Sequence, residues 1–397
     1  MATLIKEKID QAAGILRELQ VDCWLTFTRE SGINGDPTLA FLVEGDLTWH
    51  SAILVTPNGQ SCAIVGQYDK KAVEDLGVYG RVIGYVEGIR AHLQEVLRAI
   101  NPRQIAVNFS PESEICDGLT HGMFLALTDI LAGIGMQDRL IQADYIIGSL
   151  RARKTGEELK RIRRAIEATE EIFRQVETYI APGKSEEEIA AFMRKHAESS
   201  GFAYAWDSRV CPAVFTGPDT AQAHYGPTDR RVEGGHIVNM DFGLKSDGYC
   251  SDLQRTFYVL RPGEGAPPPE VQRGFDTIVR AIEQSRLAMR PGVRGQEIDA
   301  IARSLITGEG YEEFPHGLGH QVGRFAHDGS ALLGPAWEKY AGKPFIRLEA
   351  GMVFTLEPRL TVPMHGVATV EEMVVLSERG AEYLSVPQKT LRVIRAS

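Results

Sequence analysis

HIVNMDFGLKSDGYCSDLQRTFY, residues 236–258, decides how this chain is read. Val238, Met240 and Phe242 alternate with Asn239 and Asp241, the period-two signature of a strand with one apolar and one polar face. Asp247-Gly248 is a turn signal, so the stretch reads as a hairpin turning over Lys245–Gly248. Closure around Ser246–Asp247 would set Asp241 directly across from Asp252. Like charges opposed in a sheet repel, and such a pair calls for a cation, a shared proton or solvent.

A second stretch repeats the arrangement. In MVFTLEPRL (352–360) Met352, Phe354 and Leu356 alternate with Val353, Thr355 and Glu357, and the chain returns as VATVEEMVVL (367–376) after Pro363-Met364-His365-Gly366. Centred on Met364, this hairpin sets Glu357 opposite Glu371. The approaches correspond as well, VEGGHIVNMD (232–241) with LEAGMVFTLE (348–357), acid on acid. Upstream of each, APGKSEEEIAAFMRKHAESSGF (181–202) aligns without gaps on RPGVRGQEIDAIARSLITGEGY (290–311). Each copy is a Pro-Gly loop, a helix and a Gly-aromatic exit, so the C-terminal part reads as two helix-plus-hairpin units related by a pseudo-twofold. Taken alone, either acid pair reads equally as solvent-facing residues on an antiparallel sheet. Two pairs in matching frames bring four carboxylates together and point to a binuclear metal site.

Length and composition set the frame. The 397 residues suffice for two domains with separate cores, and 43% hydrophobic with 24% charged residues is ordinary for a globular protein. The net charge of −10 argues against a nucleic-acid scaffold or an anionic membrane surface. No apolar run reaches a membrane span, and the N-terminal stretch is an amphipathic helix rather than a secretory signal. Cys23, Cys62, Cys116, Cys211 and Cys250 are dispersed and odd in number, which leads us to expect reduced thiols in a cytoplasmic protein.

Residues 1–148 alternate helix and strand, an α/β domain with strands expected at 21–27, 51–57, 60–66, 82–86, 104–110 and 140–147. It carries no phosphate loop. A long charged helix is expected after Thr155, with Glu158 closing a capping box, and a second, α+β domain over 149–397.

FPHGLGHQVGRFAHD (314–328) carries His316, His320 and His327 between the two hairpins. Gly317 and Gly319 make a helix unsuitable, so these are not the paired histidines of a zincin. On an extended segment 316 and 320 share a face, and one imidazole there could complete a metal site. His224, in AQAHYGPTDRR before the first acidic strand, is a further candidate. Four carboxylates with one imidazole suit two divalent ions, manganese first, with cobalt, zinc or iron as alternatives. Two such ions balance four carboxylates in charge, acidify a shared water and polarise a carbonyl, so the reaction class is metal-assisted hydrolysis. Neither a GxSxG elbow nor a Walker loop occurs.

In AQAHYGPTDR, NMDFGLKSDGYCSDLQRTF, HGLGHQVGRFAHD and TLEP with VEEMVVLSERG, the chain resembles the pita-bread metallopeptidases. The resemblance to the prolidase and aminopeptidase P branch, and to creatinase in its two-domain plan, spans the whole chain. It implies a pita-bread catalytic domain behind the N-terminal one and an exopeptidase that cleaves Xaa-Pro bonds of dipeptides or short peptides. It further implies a homodimer. By that resemblance Asp241 chelates one metal, Asp252 and Glu371 bridge both, and His320 with Glu357 completes the other. Glu357 then also handles the proton of the attacking water. His224, His316 and His327 stand where the family places histidines that bind substrate or pass protons. Glu372, beside the bridging acid, is expected to point away.

Three positions depart from the family pattern: Arg359 in place of Gly after Glu-Pro, Thr369 in place of Arg, and Arg324 in place of an aliphatic residue. Arg359 or Arg324 is a candidate to grip a substrate carboxylate. Two other readings stay open: a non-peptidase enzyme on the same fold, such as a metal-dependent lyase or C–N hydrolase, and a non-catalytic peptide-binding module.

Overall fold

The apolar stretches of the N-terminal part pair into one mixed six-stranded sheet, ordered Arg81–Tyr85, Ser61–Gly66, Ser51–Val55, Cys23–Thr28, Ile105–Val107, Leu140–Gln142. The central strand Cys23–Thr28 runs antiparallel to Ser51–Val55 and parallel to Ile105–Val107. Its residues feed opposite cores in turn: Trp24 packs with Ile5, Ile9 and Leu16 of helix Ala2–Leu19, whereas Cys23, Leu25 and Phe27 pack with Leu93, Leu97 and Leu127. A strand buried on both faces reads as a continuous apolar run, as this one does. The computed structural model describes residues 2–111, 113–218 and 225–395. It divides into two compact units, Met1–Arg151 and Ala152–Ser397. Among the described residues no helix is long and apolar enough to cross a membrane.

One expected strand is corrected. Only Leu140–Gln142 extends the sheet; Asp144–Ala152 is a helix. An eight-residue apolar run does not separate strand from helix by itself. Here Asp144 sits in the first turn, where its charge favours the helix dipole, and Ile146, Ile147 and Leu150 turn one stripe into the core.

In the second unit Thr155 caps helix Gly156–Glu177 as its sequence implies: Glu158 N–H donates to Thr155 Oγ1 at 3.4 Å, and Thr155 N–H to Glu158 Oε2 at 2.8 Å. The repeat is realised in backbone detail. Gly183 N–H donates to Val232 O and Gly292 N–H to Leu348 O, both at 2.8 Å. The Arg231 guanidinium reaches Gly183 O and that of Arg347 reaches Gly292 O, both at 2.6 Å. Gly235 and Gly351 enter the two hairpins at φ 92° and 89°, a left-handed conformation that only glycine adopts cheaply.

The hairpins themselves form two sheets. Ile237–Phe242 pairs with Leu253–Val259 inside a four-stranded sheet, and Val353–Leu356 pairs with Glu372–Ser377 inside a three-stranded one. An isolated bridge between Gln254 and Glu371 stitches the sheets together where their acidic faces meet. Helices Pro269–Ala288 and Gly295–Gly308 cover the apolar backs of the strands through Phe275, Ile278, Ile298 and Ala302.

Candidate metal centre

Asp241 does not face Asp252. The hairpin turns over Asp247-Gly248, both at positive φ (47° and 82°), pairing Ser246 with Tyr249 and Asp241 with Gln254. The turn thus lies one residue later than expected, which shifts every cross-strand partner by two. A two-residue shift preserves the face, so Asp252 stays on the side of Asp241 as its diagonal neighbour. Their carboxyls are close enough to perturb each other's ionisation directly. In the second hairpin the flanking pairs Leu356–Glu372 and Arg359–Thr369 share one register, which places Glu357 across from Glu371.

His320 arrives on a segment laid against the second hairpin. Glu357 N–H donates to Leu318 O at 2.8 Å, His320 N–H to Thr355 Oγ1 at 3.1 Å, and Val322 N–H to Val353 O at 3.2 Å. The approach is too close for any side chain at 319: a Cβ on Gly319 would stand 2.0 Å from Thr355 O. His320 Nε2 lies 3.3 Å from Glu357 Oε1 and 3.8 Å from Asp252 Oδ2. Its Nδ1 lies 3.3 Å from Gln321 O. With the proton on Nδ1 for that carbonyl, the Nε2 lone pair points at the acids, the arrangement a metal-binding imidazole needs.

Asp252 and Glu371 are 5% and 1% exposed, and Asp241, Glu357 and His320 are partly buried. Burial raises all four carboxyls above the usual carboxylate range, and mutual repulsion adds to this at Asp252, Glu357 and Glu371. Burial, followed by the charge of His327, holds His320 down to about 3. Asp241 Oδ1 and Glu371 Oε2 are buried acceptors with no hydrogen-bond donor among the described residues. Ligand atoms of Asp252, His320 and Glu371 all lie within 4.8 Å of one another. Buried acids that repel, acceptors without donors and a neutral imidazole are what divalent cations satisfy, so these residues fit such ions.

The remaining candidates are placed as follows. The His327 ring stands edge-on to His320 with centroids 4.2 Å apart. His316 Nδ1 lies 2.8 Å from Gly317 O, and burial first, with the charges of Arg359, Arg303 and Lys339 after it, lowers this imidazole to about 4. His224 lies outside the described residues. Glu372 is buried away from the acids against Arg255, at 3.2 Å, and accepts from Ser385 Oγ and Gln388 N–H. The Arg324 guanidinium lies over the Tyr249 ring, 5.4 Å from its centroid, near the hairpin tip.

Two residues had no role in the sequence reading. Gln254 faces Asp241, bridges to Glu371, and its amide Nε2 donates to Glu357 Oε2 at 3.4 Å, while Oε1 accepts from Thr369 Oγ1 at 3.1 Å. Arg255, 1% exposed, donates from one nitrogen to the carbonyls of both Gln254 and Glu371 at 2.9 Å, clamping the junction from behind. Placing the two-residue turn on Asp247-Gly248, which is what that dipeptide favours, would have revealed Gln254 by counting.

The model of metallopeptidase family M24 matches residues 160–378. The chain is 30% identical over 249 residues to an Xaa-Pro dipeptidase of Pyrococcus furiosus, covering 62% of this chain and 67% of that protein. Among solved structures it is similar to an X-Pro aminopeptidase from Thermotoga maritima (TM-score 0.72, 24% identity, covering 96% of this chain and 99% of that one). It is also similar to the dipeptidase PepE from Mycobacterium ulcerans (TM-score 0.73, 24% identity, covering 99% of each chain). These structures share the two-domain pita-bread architecture across almost the entire chain.

Proposed function

Because the chain belongs to metallopeptidase family M24, we propose that it is a binuclear-metal exopeptidase hydrolysing the Xaa-Pro bond at the N-terminus of dipeptides or short peptides. The observation that carries this is the buried cluster of four mutually repelling carboxyls around a neutral imidazole. Asp241 would hold one ion, His320 and Glu357 the other, with Asp252 and Glu371 between them; manganese is the first choice. Bound there, the ions supply Lewis acidity toward a peptide carbonyl and a water acidic enough to attack it.

The chain's own groups supply the rest. Glu357, whose carboxyl burial raises, is suited to take a proton from the attacking water and return it. Gln254 holds that carboxylate through its amide, Nε2 donating to Glu357 Oε2. His327, packed on His320, and His316 would hydrogen-bond the carbonyl oxygen or the leaving nitrogen.

The test is turnover of Ala-Pro and Ala-Pro-Ala by EDTA-treated protein with and without Mn²⁺, Co²⁺ or Zn²⁺, beside an Asp252→Asn control. Restoration by metal, and its loss by roughly a thousandfold in Asp252→Asn, is the expected outcome. Two bound ions with neither peptide cleaved would replace this reading by a lyase or C–N hydrolase. No metal uptake would leave a binding module.

A further inference from the structure

Arg359 follows Glu357 and Pro358 and opens strand Arg359–Val362. Leu360 and Val362 of that strand are buried in the core. Alternation therefore turns Arg359 to the face that carries Glu357, one step along the strand, roughly 7 Å from Cα to Cα. The residue is half-buried. Among the described residues its guanidinium has neither a carboxylate partner nor a hydrogen bond. Its cross-strand neighbour Thr369 is neutral, and the Thr369 hydroxyl already points to Gln254 Oε1 and Pro358 O at 3.1 and 3.2 Å.

Two further cations act with Arg359 on His316, but each is engaged elsewhere. Arg303 is paired with Asp299 and Glu313 at 2.8 and 3.0 Å, and Lys339 lies over the rings of Trp337 and Tyr340. The acid cluster is therefore bordered by a positive rim in which Arg359 alone, among these three, has no partner of its own among the described residues. A guanidinium withdrawn from water without one is unfavourable, and its planar fork matches a carboxylate in two parallel hydrogen bonds.

In a dipeptide the free carboxylate lies one residue, about 3.8 Å of chain, beyond the scissile carbonyl. In a longer peptide a neutral amide takes that place. We propose that Arg359 is the subsite for the free α-carboxylate of a dipeptide, so that the chain is a dipeptidase rather than an aminopeptidase of longer peptides. This rests on the exopeptidase reading above.

The experiment compares Ala-Pro with Ala-Pro-NH2 on the metal-loaded wild type, Arg359→Gln and Arg359→Lys. In parallel, calorimetry measures binding of L-proline and L-prolinamide to the same proteins after EDTA treatment. The wild type is expected to prefer acid over amide by roughly 10- to 100-fold, mainly in KM, as a charge-assisted hydrogen bond implies. That ratio should collapse in Arg359→Gln and partly return in Arg359→Lys, with the preference for proline over prolinamide following it. An unchanged ratio in Arg359→Gln overturns the subsite while leaving the peptidase reading intact. If the wild type cleaves neither substrate, the peptidase reading fails and calorimetry decides alone: loss of the proline preference in Arg359→Gln supports the subsite, and its persistence overturns it.

Discussion

In the first half of the repeat Asp241 faces an amide, Gln254; in the second, Glu357 faces another carboxylate, Glu371. The backbones around these pairs match hydrogen bond for hydrogen bond, from Gly183 and Gly292 to Gly235 and Gly351. The pseudo-twofold is thus a property of the chain path, while the charges break it. In the first half the acids are staggered diagonally and the neutral Gln254 fills the facing position, from which it donates to Glu357 across the junction. In the second half two acids oppose one another, and Glu371 Oε2 has no donor among the described residues, the geometry most in need of a cation. Symmetric support with asymmetric charge lets one scaffold present unlike sides to a bound group.

The largest expected effect comes from making the second half resemble the first. Glu371→Gln removes one of the opposed acids, and turnover of Ala-Pro by the metal-loaded protein should fall roughly a thousandfold. The same change relieves repulsion among buried carboxyls, which raises Glu371 and its neighbours in the metal-free chain. Denaturant unfolding of EDTA-treated protein at pH 7 to 8 should therefore show Glu371→Gln more stable by about 1 kcal/mol or more. Loss of stability together with loss of turnover would mean that Glu371 is a structural acid.

Arg255 comes next, because it holds both halves at once. Its guanidinium is buried, pairs with Glu372 and ties the carbonyls of Gln254 and Glu371. Arg255→Met leaves Glu372 as a buried acid without its cation, and should cost about 3–5 kcal/mol in unfolding free energy. The double variant Arg255→Met, Glu372→Gln should recover part of that cost. If it recovers none, the clamp on the two carbonyls, rather than the ion pair, holds the junction.

Making the first half resemble the second gives a smaller effect. Gln254→Glu places a fifth carboxyl where an amide donated, so turnover should drop roughly 10- to 100-fold, the usual scale for groups that orient metal ligands. The metal-free protein should become less stable, opposite in sign to Glu371→Gln. Two reciprocal charge edits with the same stability sign would show that the halves do not differ in the way their registers imply.

Much of this was legible in residues. The aligned segments 181–202 and 290–311 and the matched approaches to the acids were readable because a repeat needs no geometry to be recognised. Glu357 across from Glu371 followed from a turn centred on Met364, which the structure adopts with Met364 at φ 67°. Asp241 opposite Asp252 failed because hairpin counting is no better than the turn position. A one-residue error there moved the partner to Gln254 without altering the face. Residues 144–147 read as strand because the apolar run is shorter than the helical period needs to declare itself. Arg359 was conspicuous as a residue type. Its lack of an anion among the described residues is a tertiary fact, and no pattern along the chain encodes it.

The smallest effect tests whether the matched glycines are equivalent in more than backbone angle. At Gly235 a Cβ would stand 2.6 Å from Arg261 Nε, and at Gly351 it would stand 3.3 Å from Arg153 Cα and Lys154 N. The first neighbour is the end of a flexible side chain, 47% exposed and paired with Glu264 at 3.3 Å; the second is backbone. Both alanine variants pay for a left-handed conformation, about 1–2 kcal/mol. Gly235→Ala adds only the displacement of a surface ion pair, worth about 0–1 kcal/mol. Gly351→Ala instead presses on a segment that cannot move without disturbing the Lys154 N–H bond to Gly351 O, 2.9 Å long. Gly351→Ala should therefore unfold at the lower denaturant concentration, by a margin under about 1 kcal/mol. The opposite order would place more stability in the Arg261–Glu264 contact than its exposure allows, and the two halves would then differ at their entrances as well as at their acids.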